Sequence, residues 1–249
     1  HLKMFGKDGF AENVDLGIMD GNPVFETKKK IVSAIIDALK KNKKEVYSIN
    51  SIIDIDGDLV DISGGEIFES HLKAAGVLKN VWMVGIKERA DIVISGAGHL
   101  GINLYQMGKA TQCASHAVKK SGIILNVAPC DQGWGNEEFK NLVKIGMDEL
   151  NKYTDKSEGI GIALTKMVGI VRADYKIGKQ KPVNIFQILR FVGWGNLHII
   201  QDGIEESDYG FVPFVFWGDK SQPAEKRLKS WIKKYLGNKT ITVIDNPNF

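Results

Sequence analysis

The sequence predicts an α/β protein: a Rossmann-like open, mostly parallel sheet with helices on both faces. Three observations carry that expectation. From residue 91 on, short runs rich in Ile and Val alternate with longer stretches of helical apolar period. The short runs are apolar almost throughout, as strands covered on both faces are. Two of them lead into glycine-rich segments that directly precede a helix, and open α/β sheets bind ligands at such strand ends.

Bulk properties narrow the class further. The 249 residues are 43% hydrophobic and 25% charged, an ordinary globular composition. A net charge of +3 with dispersed lysines argues against nucleic acid. The runs at Lys28–Lys30 and Lys40–Lys44 read as solvated helix faces. No apolar stretch reaches the roughly 18 residues of a membrane span, and the N-terminal segment lacks a signal-peptide core. Two cysteines, Cys113 and Cys130, make neither a disulfide framework nor a metal spacing, so a reducing cytoplasm is the expected location. Residues 1–249 are read as a single α/β domain.

Each element has its own signal. Residues 1–22 are punctuated by Gly6, Gly9, Gly17 and Gly21 and read as irregular linker. Asn22 followed by Pro23 is a helix start, and Val24, Phe25, Ile31, Val32, Ile35, Ile36 and Leu39 continue at helical period. Two apolar runs around Asp56-Gly57 predict a β-hairpin over 45–65. Ile67, Leu72 and Val77 mark a helix over 65–82. Strands then follow at 91–95 and 123–128, with helices at about 103–119 and 136–153. The stretch 159–173 gives a mixed signal; 181–193 reads as helix, 196–201 as strand, 223–237 as an amphipathic helix and 240–245 as a final strand.

Strand 91–95 runs into Gly96-Ala97-Gly98-His99-Leu100-Gly101, a literal G-x-G-x-x-G. A dinucleotide turn also needs an acidic residue about 20 positions on, at the end of the next strand. Here the first acid beyond that strand is Asp131, so the spacing does not fit. The alternative is a tight strand-end turn whose glycines let a ligand approach backbone amides at the next helix start. Tyr105, Gln106 and Lys109 follow in that helix at spacings that share a face. A phenol, an amide and an ammonium suit a small carboxylate. The second glycine-rich stretch, Ala128-Pro129-Cys130-Asp131-Gln132-Gly133-Trp134-Gly135, stands at the neighbouring strand end. Cys130 has no histidine near it in sequence and reads as a buried structural thiol.

Three segments together carry a family resemblance: Gly21-Asn22-Pro23-Val24, Asn103-Leu104-Tyr105-Gln106 with Lys109, and Ala128-x-Cys130 with Gly133-x-Gly135. The sequence from about 15 to 245 resembles the C-terminal half of nickel-dependent lactate racemase and its relatives, and Tyr175–Leu189 is similar to a late Leu-Gly-x-His-Lys segment of that family. The resemblance implies a two-domain α/β enzyme that racemises a small 2-hydroxy acid. It does so by hydride abstraction and return on a lysine-tethered nickel pincer nucleotide. It makes Tyr105, Gln106 and Lys109 the substrate contacts and Lys109 the catalytic group; Gly96, Gly98 and His99, in the glycine-rich loop, are the candidate cofactor contacts by position. It also implies an N-terminal domain as partner, joined through residues 1–22. The lysine and acid/base histidines belong to that half, so this chain alone is expected to be inactive and to carry no cofactor. No metal ligand is assigned: His1 stands too far upstream of Gly21, and His71, His116 and His198 read as structural.

The sequence also departs from the family. Leu100 and Gly101 stand where the family has a Pro and an Asp, and Pro129 replaces a commonly acidic residue. The substrate is therefore expected to differ from lactate. Two other readings stay open: a non-catalytic module that binds a small anion or docks a partner through Trp194, Phe211, Phe214, Phe216 and Trp217, and a nucleotide-dependent oxidoreductase.

Overall fold

The computed structural model describes residues 2–54 and 56–245. The chain divides into two compact units, one comprising the residues up to Phe10 and those from Ile86 on, the other Ala11–Gly85. The sequence reading treats the chain as one domain with 1–22 as linker. In the structure the division falls at 10/11 and 85/86, and residues 2–10 are built into the larger unit. Phe5 is buried in its core and meets the Phe10 ring edge-on at 5.7 Å. Arg172 donates to the Phe5 carbonyl at 2.9 Å, the Phe10 N–H donates to Gln187 Oε1 at 2.9 Å, and Asp8 pairs with Arg190 at 2.7 Å.

In the smaller unit, α1 (Pro23–Lys41) starts at Asn22, whose Oδ1 accepts from the Val24 N–H at 3.0 Å. Strands β1 (Ser48–Ile53) and β2 (Leu59–Gly65) form an antiparallel hairpin. Its turn is closed by Asp54 Oδ1, which accepts from the Asp56 and Asp58 N–H groups, and Gly57 takes φ +90°. Helix α2 (Ile67–Trp82) lies on one face of the hairpin, where Ser63 Oγ donates to the Ser70 carbonyl at 3.1 Å.

The larger unit is a five-stranded, all-parallel sheet. Its strands are β3 (Ala90–Gly96), β4 (Val118–Val127), β5 (Leu197–Ile200), β6 (Val215–Phe216) and β7 (Ile241–Asp245), in the order β6-β5-β4-β3-β7. Side chains alternate across it. Val93, Ile124, Leu197 and Ile199 face one core, and Ile92, Ile94, Ile123, Leu125 and Ile200 the other. Helices α3 (Leu104–Ala117) and α6 (Gln180–Val192) lie on the first face, with α4 (Glu137–Leu150) and α5 (Lys156–Ala173) packed against α6. Helix α7 (Ala224–Tyr235) covers the second face through fully buried Trp231. Its indole N–H donates to His198 Nδ1 at 3.0 Å, while His198 Nε2 lies 2.9 Å from the Gly195 carbonyl. Burial holds His198 below the usual imidazole range, consistent with a structural part.

The expected fold class is the observed one, with corrections in detail. Residues 159–173, mixed in sequence, lie within an 18-residue helix. Its buried side chains, Ile160, Ala163, Leu164, Met167, Val168 and Val171, form one stripe, but Gly161, Ile162, Gly169 and Ile170 on the less covered side blur the amphipathic period. Strand β4 starts at Val118, ahead of the expected 123, and changes register against β3 between Ala90 and Ile92. The two-residue β6 was not expected; it is too short for a period.

Close helix packing in this layer yields a paired prediction. A Cβ at Gly146 would sit 2.7 Å from both Met167 Sδ and the Phe186 ring, whereas one at Gly161 meets nothing within 4 Å. Gly146→Ala is expected to destabilise the fold by about 2 kcal/mol, and Gly161→Ala to stabilise it by roughly 0.5–1 kcal/mol. Urea unfolding of the two variants checks the opposite signs.

Candidate functional site

The site is organised by two asparagine caps and the glycines that admit them. Asn103, 5% exposed, opens α3: its Oδ1 accepts from the Gln106 N–H at 2.9 Å. Gly135, at φ +78°, lies against this cap so closely that a Cβ there would overlap the Asn103 amide. Asn136 repeats the arrangement at α4: its Oδ1 accepts from the Phe139 N–H at 2.8 Å, and a Cβ at Gly178, φ +111°, would overlap it. The three segments singled out at 103–109, 128–135 and 175–189 therefore interlock, cap to glycine, in series.

Backbone bonds complete the join. Leu104 N–H donates to the Gly133 carbonyl at 3.0 Å and Tyr105 N–H to the Trp134 carbonyl at 3.2 Å. Cys130 N–H donates to Gly101 O at 2.7 Å, and Gln132 N–H to Ile102 O at 2.9 Å. With Asn103 on the Gln106 N–H, the first three amides of α3 are already taken by protein. The expectation that a ligand approaches backbone amides at this helix start is corrected accordingly. The glycines serve the turn instead. Gly96 ends β3 beside Asp245, Gly98 takes φ +51° at the head of a short 3₁₀ turn, and a Cβ at Gly101 would lie 3.0 Å from Pro129 Cδ. Two of the three departures noted in the sequence, Gly101 and Pro129, thus meet each other.

Tyr105, Gln106 and Lys109 all lie in the first turns of α3. The Tyr105 ring packs edge-on to Phe139 at 5.8 Å. Gln106 Oε1 is shielded from solvent and has no hydrogen-bond partner among the described residues. Lys109 is exposed. His99 is exposed on the 3₁₀ turn next to Gly98.

The structure adds a residue that the sequence reading did not single out. Lys181, in the first turn of α6, places its Nζ 3.5 Å from the Tyr105 ring centroid and donates to the Tyr105 carbonyl at 2.6 Å. Its stem runs past Gly108, where a Cβ would come within 3.8 Å of Lys181 Cδ. Burial, and secondarily the Lys109 ammonium, bring its amine down to about 8. Among the described residues neither Lys109 nor Lys181 has a carboxylate within ion-pair distance, while Lys179 and Lys176 nearby are paired with Glu138 and Asp174. Gln180 Oε1, accepting from Tyr175 Oη at 3.4 Å and from the Gly178 N–H at 3.0 Å, fixes the approach to α6. Lys181 was legible only as part of the late Leu-Gly-x-His-Lys-like segment; nothing local in the sequence says that it folds back onto Tyr105.

Other candidates fall away from this cluster. Cys130 is fully buried at φ +53°, and burial pushes its thiol up to about 12, as suits a structural thiol. Of the five aromatics offered as a docking patch, only Trp194 and Phe211 are exposed; Phe214 is buried and Phe216 and Trp217 are partly covered. His71 stacks on Phe25 within the smaller unit. His1 lies outside the described residues. Among those residues no three His, Cys, Asp or Glu side chains gather to hold a metal ion, and no helix is long and apolar enough to cross a membrane.

Comparison with known proteins agrees with the sequence resemblance. Residues 86–162 match the family model described as lactate racemase C-terminal domain, and the match begins where the larger unit resumes. Lactate racemase of Thermoanaerobacterium thermosaccharolyticum is 29% identical over 150 residues, covering 59% of this chain and 32% of that protein. The chain thus spans about a third of the length of this curated relative. In fold, it matches the lactate racemase apoprotein of the same organism with TM-score 0.66 at 22% identity, over 94% of this chain and 50% of the other. A Thermotoga maritima protein matches with TM-score 0.55 at 11% identity, over 90% and 51%.

The Lys181 amine gives a pH test of this geometry. An amine at about 8 in the fold and near the ordinary lysine value of 10.5 when unfolded binds fewer protons folded than unfolded between those limits. Stability therefore rises with pH across that window and the gain is absent below it. Urea unfolding from pH 7.5 to 10.5 should show the wild type gaining on Lys181→Met as pH increases; parallel curves would contradict the assignment.

Proposed function

We propose that this chain, similar over residues 86–162 to the lactate racemase C-terminal domain, is the substrate-binding part of an enzyme that acts on a small 2-hydroxy acid. One observation carries the reading most: two ammonium groups, Lys109 and Lys181, stand beside Tyr105 and Gln106 with no carboxylate to neutralise them among the described residues. Such a cluster is a ready counter-charge for a carboxylate. In this reading Lys109 anchors the carboxylate and hydrogen-bonds the reacting oxygen, and the unpartnered Gln106 Oε1 accepts from the substrate hydroxyl. The Tyr105 phenol closes the same face. The closed seam between Gly101 and Pro129 leaves the loop without the acidic side chains that the family pattern has there, which supports a substrate other than lactate.

Racemisation by hydride abstraction and return is the activity proposed for the intact enzyme, with a nickel pincer nucleotide supplying the hydride chemistry when bound. The described residues of this chain offer no metal-ligand set for it. Its ligands are assigned to the N-terminal domain proposed as partner, and no step here runs through it. Gly96, Gly98 and His99 remain proposed contacts to that cofactor, and the chain alone is proposed to be inactive. Two free cysteines suit a reducing cytoplasm.

Titration of the 249-residue chain with D- and L-lactate and longer 2-hydroxy acids, followed by NMR, tests the reading. Loss of a charge-assisted hydrogen bond predicts that Lys109→Ala weakens binding about 10- to 100-fold, while Lys140→Ala leaves it unchanged. Binding should also weaken between pH 7 and 9 as Lys181 loses its proton, and this dependence should vanish in Lys181→Met. Equal affinity in wild type and Lys109→Ala would sink the reading, and saturable NADH binding would revive the oxidoreductase alternative.

A further inference from the structure

Helix α4 begins at the candidate site and ends at a second concavity. There Met147 and Asn151 of α4, Trp194, Tyr209, Phe214 and Val215 line a cavity of about 340 Å³. Trp194 precedes β5 and Val215 opens β6, and the two strands are parallel, so the cavity stands at their N-terminal ends. The Tyr105 cluster follows the C-terminal end of β3, at the other end of the sheet. Met147 and Phe214 are buried, while Trp194 is 43% exposed. The chain has five tryptophans. Trp82, Trp134, Trp217 and Trp231 each donate the indole N–H within the protein; that of Trp194 meets no acceptor among the described residues. Lys156, the first residue of α5, reaches the same rim. Its Nζ lies 5.8 Å from the Trp194 ring centroid and 3.4 Å from Asn151 Oδ1. Among the described residues no carboxylate is within ion-pair distance of it, and the neighbouring Asp155 is engaged by the Ser157 and Glu158 N–H groups. The last carbonyls of α4 add little negative charge here, because those of Met147, Glu149 and Leu150 already accept from the N–H groups of 151–153.

From these features we infer that the cavity is a second ligand site, for a small carboxylic acid bearing a single aromatic ring on a short chain. The ring packs among Trp194, Tyr209 and Phe214, and the carboxylate meets the Lys156 ammonium and the Trp194 indole N–H. Size fits this class. An apolar cavity of about 150 Å³ already takes benzene, so about 340 Å³ admits a ring with its chain. The walls are preformed, which lowers the ordering cost of binding. The Tyr209 ring is held by Phe216, stacked on it at 3.6 Å, and by Gln201 Nε2, which donates to its Oη at 3.1 Å. Charge selects the acid: an amine would bring a second cation to Lys156, and a neutral ring would leave the ammonium without a counter-charge. Three of the five aromatics that the sequence offers as a docking patch thus serve one cavity, Trp194 and Phe214 as walls and Phe216 as the support of Tyr209. The inference rests on this cavity alone and is independent of what Lys109 binds.

Titration of the 249-residue chain with 3-phenylpropionate, followed by amide and indole N–H NMR, decides it. The expected result is saturable shifts at the Trp194 indole and at the amides of 147–151 and 209–215. Lys156→Met should weaken binding about 5- to 10-fold, and the neutral 3-phenylpropanol should bind the wild type weaker by a similar factor. Trp194→Ala should abolish binding while the amide signals of 90–96 keep their positions, which shows that the variant is folded. Lys109→Ala should leave the affinity unchanged. Shifts confined to 103–109 and 181 that vanish in Lys109→Ala would place the acid at the Tyr105 cluster and overturn the inference. Equal affinity for 3-phenylpropanol and the acid, or shifts that grow without saturating, would overturn it too. Lactate is titrated separately, so failure of the 2-hydroxy acid reading would not register here.

Discussion

Everything at the candidate site depends on two side-chain amides that each cap a helix while pressed by a glycine from another loop. Asn103 takes the Gln106 N–H and leaves no space at residue 135; Asn136 takes the Phe139 N–H and leaves none at residue 178. An asparagine cap contributes about 1 kcal/mol to a helix. Here each cap also sets the position of a neighbouring loop, because the contact is too close for any side chain but hydrogen. Helix α3, helix α4 and the approach to α6 are therefore placed relative to one another by two short-range contacts.

The chemistry follows from that placement. With the first amides of α3 occupied by Gly133 O, Trp134 O and Asn103, that helix start offers no free amide to an anion, and the binding groups proposed above are side chains instead. Bringing α6 to α3 at Gly108 drops Lys181 onto the Tyr105 ring and carbonyl. Burial of the Lys181 amine there, with the Lys109 ammonium as a secondary cause, disfavours its proton and lowers its pKa. In the proposed reading an anionic ligand would favour the protonated amine, which is what would select for negative charge.

Much of this was legible in the sequence. The parallel sheet, the α3 cluster and the join of glycine loops to neighbouring strand ends all follow from local patterns: apolar runs, helical spacing and strand-loop-helix order. What escaped was non-local. The G-x-G-x-x-G segment suggests ligand-facing backbone, but Gly101 is spent on Pro129 and the amides beyond it on residues 133 and 134. Lys181 lies more than seventy positions from Tyr105, and no periodicity links them. Helix α5 lost its signal because Gly161, Ile162, Gly169 and Ile170, outside its buried stripe, are not polar. The separate standing of residues 11–85 escaped too, since local propensity writes a good helix and hairpin whether or not a core exists beneath them.

The central claim is that the α3–α6 face recognises the anionic head of a 2-hydroxy acid through Lys109 and Lys181 together. The most direct measurement is the Lys181 pKa itself, followed by NMR of the lysine ε-carbons in the 249-residue chain with and without saturating 2-hydroxy acid. The account predicts a value near 8 in the free chain that rises when the acid binds, and no rise in Lys109→Ala. A Lys181 pKa that is the same with and without bound acid would contradict it.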